Sequence, residues 1–235
     1  MLNENLLFVD GEAIVVDKPA GLPVDPPRDG SMSVANQLQS LAFGFKRWPH
    51  PVHRLDRDTS GCLLLARHPK AHGRFTQAFE AGLVQKMYLA VLDGVPEAQE
   101  GLVDMALSKT STREAGWRMI HDPKGKQART AWRVLTVIDG RALVEFRPET
   151  GRTHQIRVHA ASGIGVPIIG DPVYGRPGRP MLLHAAALTV PREGKPAIEA
   201  RAPLPPTFAA MGFADPTVAT KASADVPVAE GDSEA

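Results

Sequence analysis

Nine consecutive residues, His53-Arg54-Leu55-Asp56-Arg57-Asp58-Thr59-Ser60-Gly61, hold two carboxylates, two arginines, a histidine and two hydroxyls. Groups of these kinds placed together can move protons, attack through a carboxylate oxygen, or hold an anionic substrate. The string lies between the breaker Pro51 and the apolar run Cys62-Leu63-Leu64-Leu65-Ala66, whose length and bounding signals read as a buried strand. Its polar side chains therefore sit on a loop held by a rigid element, where packing fixes the backbone while the groups stay accessible. Asp56 is the first candidate for chemistry; the plainer reading of such a residue is a structural carboxylate paired to a nearby arginine.

The elements around this loop read as a mixed set with sheet predominating. Leu6 to Val9 and Ala13 to Val16 flank the hairpin signal Asp10-Gly11. Ser33 to Leu41 supports a short helix, and Pro69 to Ala81 a clearer one, with proline in the first turn, Ala71, Phe75, Ala78 and Phe79 on one face and Gly82 as the stop. Met87 to Leu92, Leu102 to Leu107, Ala128 to Ile138, Arg141 to Phe146 and Leu182 to Val190 read as strands, the pair around Asp139-Gly140 as a hairpin. Thr153 to Ser162 reads as a helix that starts on a hydroxyl cap and stops at Gly163.

With 235 residues, 43% of them apolar, the chain can bury one sizeable core, so one catalytic unit is expected over residues 1–213. The last 22 residues carry Asp215, Asp225, Glu230, Asp232 and Glu234 against Lys221 and no aromatic residue, the composition of a disordered acidic tail over 214–235. The positive excess therefore belongs to the rest, which permits nucleic-acid binding without announcing it. The single cysteine, Cys62, excludes an internal disulfide and a multi-cysteine zinc cluster, and its apolar setting reads as an inert core thiol. The first residues have neither a cationic start nor a long apolar stretch, so no signal peptide or membrane span is expected and the cytoplasm is the expected location. No dimer seam is visible in the pattern, which favours a monomer.

The string from His53 to Gly61 resembles the signature of the RluA-type family of RNA pseudouridine synthases, and further segments agree with it in order along the chain. Lys18-Pro19-Ala20-Gly21-Leu22 resembles the family's N-terminal motif, Lys86-Met87-Tyr88 the motif carrying its aromatic residue, and Thr150 to His159 the motif carrying its basic residue; Leu182-Leu183-His184-Ala185 is similar to a fifth. The resemblance implies an α+β fold built on a mixed, largely antiparallel sheet with flanking helices and loops. It also implies isomerisation of uridine to pseudouridine in ribosomal or transfer RNA, without metal or organic cofactor. Many such enzymes carry a small N-terminal RNA-binding domain; here the chain opens directly in the sheet, so substrate binding is expected from the catalytic domain.

By the same resemblance Asp56 is the catalytic carboxylate, acting either as a nucleophile on sugar or base or as a base on the sugar. Arg157 is the arginine that pairs with it, and its alternative is a phosphate contact. Tyr88 is the aromatic that stacks on uracil and assists removal of the C5 proton, against the ordinary reading of a core tyrosine. Arg54 matches a position that enters the RNA stack in place of the flipped nucleotide; its alternative is a salt bridge to Asp58. Leu183 is the apolar residue at the uracil site, or simply core. His53, Lys86, Arg152, His154 and Gln155 complete the expected substrate site, Lys86 first of all as structural support. His154 and His159, five residues apart on a helix, point to different faces, which argues against metal ligation.

Lys109 to Arg118, continuing to Lys124-Gly125-Lys126, reads as a basic loop between strands, with Arg113, Trp117 and Arg118 as candidate RNA contacts beside Lys109, Lys124 and Lys126. Lys46-Arg47-Trp48 has the same composition; either set can equally be a solvated face. Two other functions fit parts of the sequence. Asp56-Arg57-Asp58-Thr59 matches the Asp-x-Asp-x-Thr pattern of haloacid dehalogenase-like phosphatases, which use magnesium, but that site needs a buried strand directly before the first Asp, and Trp48 to Arg54 contains two prolines. An RNA-binding protein with this fold and no catalysis is the other; Asp56, Tyr88 and Arg157 all standing in their motifs argues against it.

Overall fold

The computed structural model describes residues 2–113 and 116–216. Most of the segment expected to be a disordered tail, residues 217–235, lies outside the described residues, as do Glu114 and Ala115 of the basic stretch. The chain opens with the expected hairpin of β1 (Leu6–Val9) and β2 (Ala13–Lys18). Asp10 Oδ1 closes its turn by accepting the backbone N–H groups of Glu12 at 2.8 Å and Ala13 at 2.9 Å. Next comes α1 (Val34–Gln37), where Asn36 Oδ1 accepts from both the backbone and the hydroxyl of Ser33. The helix expected to reach Leu41 tightens instead into a 3-10 turn, Leu38–Leu41.

β3 (His50–Pro51) and the wholly buried β4 (Ser60–Ala66) bracket the polar loop, and α2 (Pro69–Glu80) follows, packing Ala71 and Phe75 into the core. β5 (Gln85–Leu92), β6 (Glu100–Asp104), β7 (Leu107–Thr112), β8 (Gly116–His121), β9 (Arg129–Ile138) and β10 (Arg141–Pro148) form the middle of the chain. After α3 (Gln155–Val158), β11 (Leu183–Val190), β12 (Ile198–Arg201) and α4 (Pro206–Ala209) complete the described fold. Ten strands make one sheet in the order β1-β2-β4-β11-β5-β10-β9-β6, with β12 joined to β11 and β3 to β4. All its described pairings are antiparallel except β4 with β11. This is the mixed, largely antiparallel α+β architecture expected.

The parallel pair sits at the end of the polar loop and explains why that loop ends on glycine. Gly61 has φ +107°, and a Cβ built on it would lie 2.2 Å from the Ala185 carbonyl oxygen. No other residue allows β11 this close.

Three expectations are corrected. Leu102 to Leu107 is not one strand: β6 stays on the sheet edge against β9, and the chain leaves it at Met105-Ala106 so that Leu107 can bury against Ala128 and Val158. The basic loop is a two-stranded hairpin, β7 with β8, because Thr110, Thr112, Trp117 and Ile120 favour a pleated ribbon and outweigh the flanking charges. Thr153 does not cap a helix. His154 takes that place at φ 54°, α3 begins at Gln155, and the chain continues as a π-helical turn His159–Ile164 to Gly165. Gly163 is a packing glycine and not a stop, since a Cβ there would meet Val103 Cγ1 at 2.6 Å.

Candidate active site

The loop bearing Asp56 is fastened from beneath by Lys18, the last residue of β2. Its fully buried ammonium gives its hydrogens to the carbonyls of Pro19 and Leu22, each at 2.8 Å, and Arg57 at 3.0 Å. Gly21 N–H adds a bond to the same Arg57 carbonyl at 2.9 Å. Burial pulls Lys18 down to about 8 against the attraction of Asp58, Asp56 and Asp17. The N-terminal motif is thus a clamp that fixes the backbone on either side of Asp56.

The side chain of Asp56 is 25% exposed and meets Arg157 Nη1 with Oδ2 at 3.1 Å. Arg157 is held in turn by Asp171, completely buried, which accepts from its Nε and Nη2 at 2.8 Å each. Asp171 also accepts the backbone N–H groups of Val173 at 2.9 Å and Tyr174 at 3.0 Å. Burial opposes the Asp171 charge, yet its bonds to Arg157 and the backbone keep it below the usual carboxylate range. Arg157 is raised further above its ordinary value by these two carboxylates, although burial works the other way. A doubly held guanidinium that aims one remaining N–H at Asp56 is a rigid support, since the planar fork cannot turn without leaving Asp171 unpaired.

Asp56 opens on a cleft of about 510 Å³. Strand alternation puts Lys86 and Tyr88 of β5 on its wall, Leu183 at the start of β11 faces them, and Arg152, His154 and Gln155 line the far side. Arg54 stands at the mouth. Burial, reinforced by the Asp56 charge, keeps the Tyr88 phenol above its ordinary range, so it carries its proton. Lys86 Nζ donates to the Thr150 carbonyl at 3.1 Å, and burial lowers it to about 8. Nine of the ten residues expected at the catalytic and substrate site therefore converge.

His53 does not. Its ring turns into the packing, stacks on Phe79 at 4.7 Å and accepts the Leu64 N–H at 3.0 Å, and burial holds it neutral at about 4. Gln155 lines the cleft but is occupied structurally: its side chain bonds Thr150, Arg152, Arg129 and Thr130. Arg152 donates to the Gln127 carbonyl at 3.0 Å. The ion pair of Arg54 is with Asp25 at 2.8 Å, whereas Asp58 pairs with Arg57. His159 is buried, bonded to Thr130 and Met105 away from the cleft. Lys46, Arg47 and Trp48 are exposed outside the cleft lining, as are Lys109, Arg113, Lys124 and Lys126, while Trp117 of the hairpin reaches the ring of His154. Cys62 is buried and raised to about 12.

Three residues of the site were missed from sequence: Lys18 as a clamp, Asp171 and Tyr174. The signal for the last two was an isolated acidic and aromatic pair, Asp171-Pro172-Val173-Tyr174, bounded by Gly170 and Gly175 directly after the apolar Ile168-Ile169. A phosphatase site is excluded by position, because the residues before Asp56 form only the two-residue β3 and a loop on a largely antiparallel sheet.

A carboxylate fixed by an arginine, opposite a tyrosine and an aliphatic side chain at the centre of a mixed sheet, defines the class, and comparison with known proteins agrees. Residues 12–162 match the RNA pseudouridylate synthase family, to which the chain belongs. Its relatives include RluA-type members. It is 57% identical over 217 residues to an uncharacterized RNA pseudouridine synthase of Zymomonas mobilis, covering 91% of this chain and 99% of that one. It is 38% identical to ribosomal large subunit pseudouridine synthase D of the same organism, over 73% of this chain and 56% of the relative. Among solved structures, human RNA pseudouridylate synthase domain containing 4 superposes with a TM-score of 0.74 at 28% identity, covering 88% of this chain and 91% of the other. The chain is an RNA pseudouridine synthase of RluA type.

Proposed function

We propose that this enzyme isomerises uridine in ribosomal RNA, with Asp56 as its catalytic carboxylate and without a cofactor. The carrying observation is the aim of Asp56 into a cleft framed by Tyr88 and Leu183, with its charge held by Arg157. The reaction breaks the N1–C1′ bond, turns the uracil over and forms a C5–C1′ bond; C5 gives up a proton, N1 gains one, and no group is lost. Such chemistry needs a carboxylate beside the sugar and a surface on which the detached base can turn. Asp56 supplies the first, as nucleophile or as base. The ring of Tyr88 supplies the second, with stacking worth about 1–3 kcal/mol. The phenol, which keeps its proton, can pass it to N1 and recover the one that C5 gives up.

A target base must leave its helix to reach this cleft, at a cost of a few kcal/mol. Arg54 occupies the mouth, 76% exposed and, among the described residues, bound only to the exposed Asp25, so it can trade that partner for the vacated stack. Lys86 and Arg152 supply cations for the flanking phosphates. The ribosomal target draws on the names of relatives such as ribosomal large subunit pseudouridine synthase D. We read the enzyme as a cytoplasmic monomer whose catalytic domain ends near residue 213; no described helix is long and apolar enough to cross a membrane.

The test is pseudouridine mapping by carbodiimide labelling and reverse transcription on total RNA from wild-type, deletion and Asp56→Asn strains. Ribosomal sites lost in both mutants are the expected result. Sites lost only from transfer RNA would move the target, and sites lost in the deletion but kept in Asp56→Asn would remove Asp56 from its role. No lost site in either mutant would favour the non-catalytic RNA-binding alternative.

A further inference from the structure

His154 lines the catalytic cleft in the left-handed region, at φ 54°, which is strained for a residue with a Cβ and persists only where the surroundings impose it. Three contacts impose it. Its Nδ1 lies 2.9 Å from the Tyr174 hydroxyl, and its ring meets the edges of Trp117 at 5.0 Å and Tyr174 at 5.6 Å. Trp117 belongs to β8, and so does Met119, whose backbone N–H donates to the same Tyr174 oxygen at 2.9 Å. The β7–β8 hairpin, which makes a separate sheet, is thereby tied to the residue opposite Asp56.

These bonds favour one site for the imidazole proton. A backbone N–H can only donate, so the Tyr174 oxygen accepts from Met119 and its own proton is free for His154 Nδ1. Burial raises the Tyr174 phenol, which keeps that proton in place. A ring that accepts at Nδ1 carries its hydrogen on Nε2, and Nε2 is 3.8 Å from Asp56 Oδ2. Burial lowers His154 against the pull of Asp56, so the ring is a neutral donor. At 3.8 Å the contact is not yet a hydrogen bond, but catalytic contacts that are long in the empty enzyme shorten when substrate is bound. Arg157 and His154 approach the same oxygen, Oδ2, so the other oxygen is left for the substrate.

We propose that Tyr174, docked on the Met119 N–H of the hairpin, fixes His154 as its Nε2–H tautomer, and that this N–H positions Asp56 by its Oδ2 once a uridine is bound. The inference rests on the pseudouridine synthase reading for the identity of the substrate. His154 is a positioning residue: a neutral donor steers the carboxylate without cancelling the charge that the reaction uses. The hairpin acts through the relay as well as through any phosphate it touches.

The experiment compares full-length wild type, Tyr174→Phe, His154→Gln and His154→Ala by nitrogen-15 NMR of the imidazoles and by single-turnover modification of a ribosomal RNA fragment. His154 is assigned among the eight histidines by the resonance missing from His154→Gln. Wild type should show a protonated Nε2 and an accepting Nδ1. Tyr174→Phe, which keeps the ring, should mix the tautomers and slow the bound-state rate about tenfold at unchanged RNA affinity, the scale of one lost hydrogen bond. His154→Gln, which can present an N–H near the Nε2 position, should be faster than His154→Ala. A wild type protonated on Nδ1 overturns the proposal, and so does a Tyr174→Phe enzyme with mixed tautomers and an unchanged rate. A wild type with the expected tautomer that modifies no RNA counts against the assigned reaction, because the tautomer is read without turnover.

Discussion

The floor and the rim of the cleft use the same residue type in opposite ways. At the floor, Arg157 is 6% exposed and spends three N–H groups on two carboxylates, one of them completely buried. At the rim, Arg54 is 76% exposed and holds one exposed partner, Asp25. The first arrangement is expensive to rearrange and so keeps Asp56 in one geometry before RNA arrives. The second holds little free energy, about 0–1 kcal/mol for an exposed pair, and can be exchanged for a nucleic acid contact. On the proposed reading, the molecule is rigid where bonds would change and loose where the substrate would be reshaped.

Arg157→Leu tests this contrast most severely. It leaves Asp171 buried without its partner and should destabilise the fold by about 3–5 kcal/mol, read from denaturant midpoints. Pairing it with Asp171→Leu should recover much of that loss while activity stays absent; no recovery would mean that the ion pair is not what holds the floor.

Acid should loosen the floor next. His184, completely buried with Nδ1 2.9 Å from the Ser60 hydroxyl, is lowered by burial to about 4, as is His53 behind the loop. Between pH 6.5 and pH 4 the unfolded chain binds protons at these rings that the folded chain refuses, so stability falls as pH falls through that window. The melting temperature should drop from pH 7 to pH 5, by roughly 2–4 °C for each kcal/mol lost at this chain length. A flat profile would show that one or both rings charge inside the fold.

Arg54→Ala should leave the melting temperature unchanged and lower kcat/KM on structured RNA about tenfold, within the 1–3 kcal/mol of a stacking contact. On a substrate whose uridine is already unpaired the loss should shrink; equal loss on both would mean that Arg54 binds and does not assist flipping. The smallest effect is expected from Lys109→Gln with Lys124→Gln on the exposed hairpin side. Each phosphate contact removed should flatten the slope of log affinity against log salt by about 0.7–0.9. An unchanged slope would remove the hairpin cations from the interface and leave its role to Trp117 and Met119.

Much of the floor was legible because its residues come in local strings. Asp56 stands five residues ahead of an obligatory glycine that lies within a buried strand, and Tyr88 and Lys86 follow strand alternation. What escaped was held by partners remote in sequence. Asp171 reaches back 14 positions to Arg157, and Lys18 crosses 39 to the Arg57 carbonyl. His53 was misplaced for a related reason: a histidine in a polar string reads as accessible, and only the packing of Phe79 shows that its ring is turned inward.

Taken alone, the sequence determined the sheet-rich class, the breaks at Asp10-Gly11 and Asp139-Gly140, and the family to which the motifs belong, since period, turn chemistry and residue strings are properties of neighbours along the chain. The tertiary structure alone decided that Arg157 has two carboxylates to serve, that the basic stretch is a hairpin docked on Tyr174, and which ring nitrogen of His154 faces Asp56. Those facts depend on which distant groups burial forces to share their hydrogen bonds, and no local pattern encodes that choice.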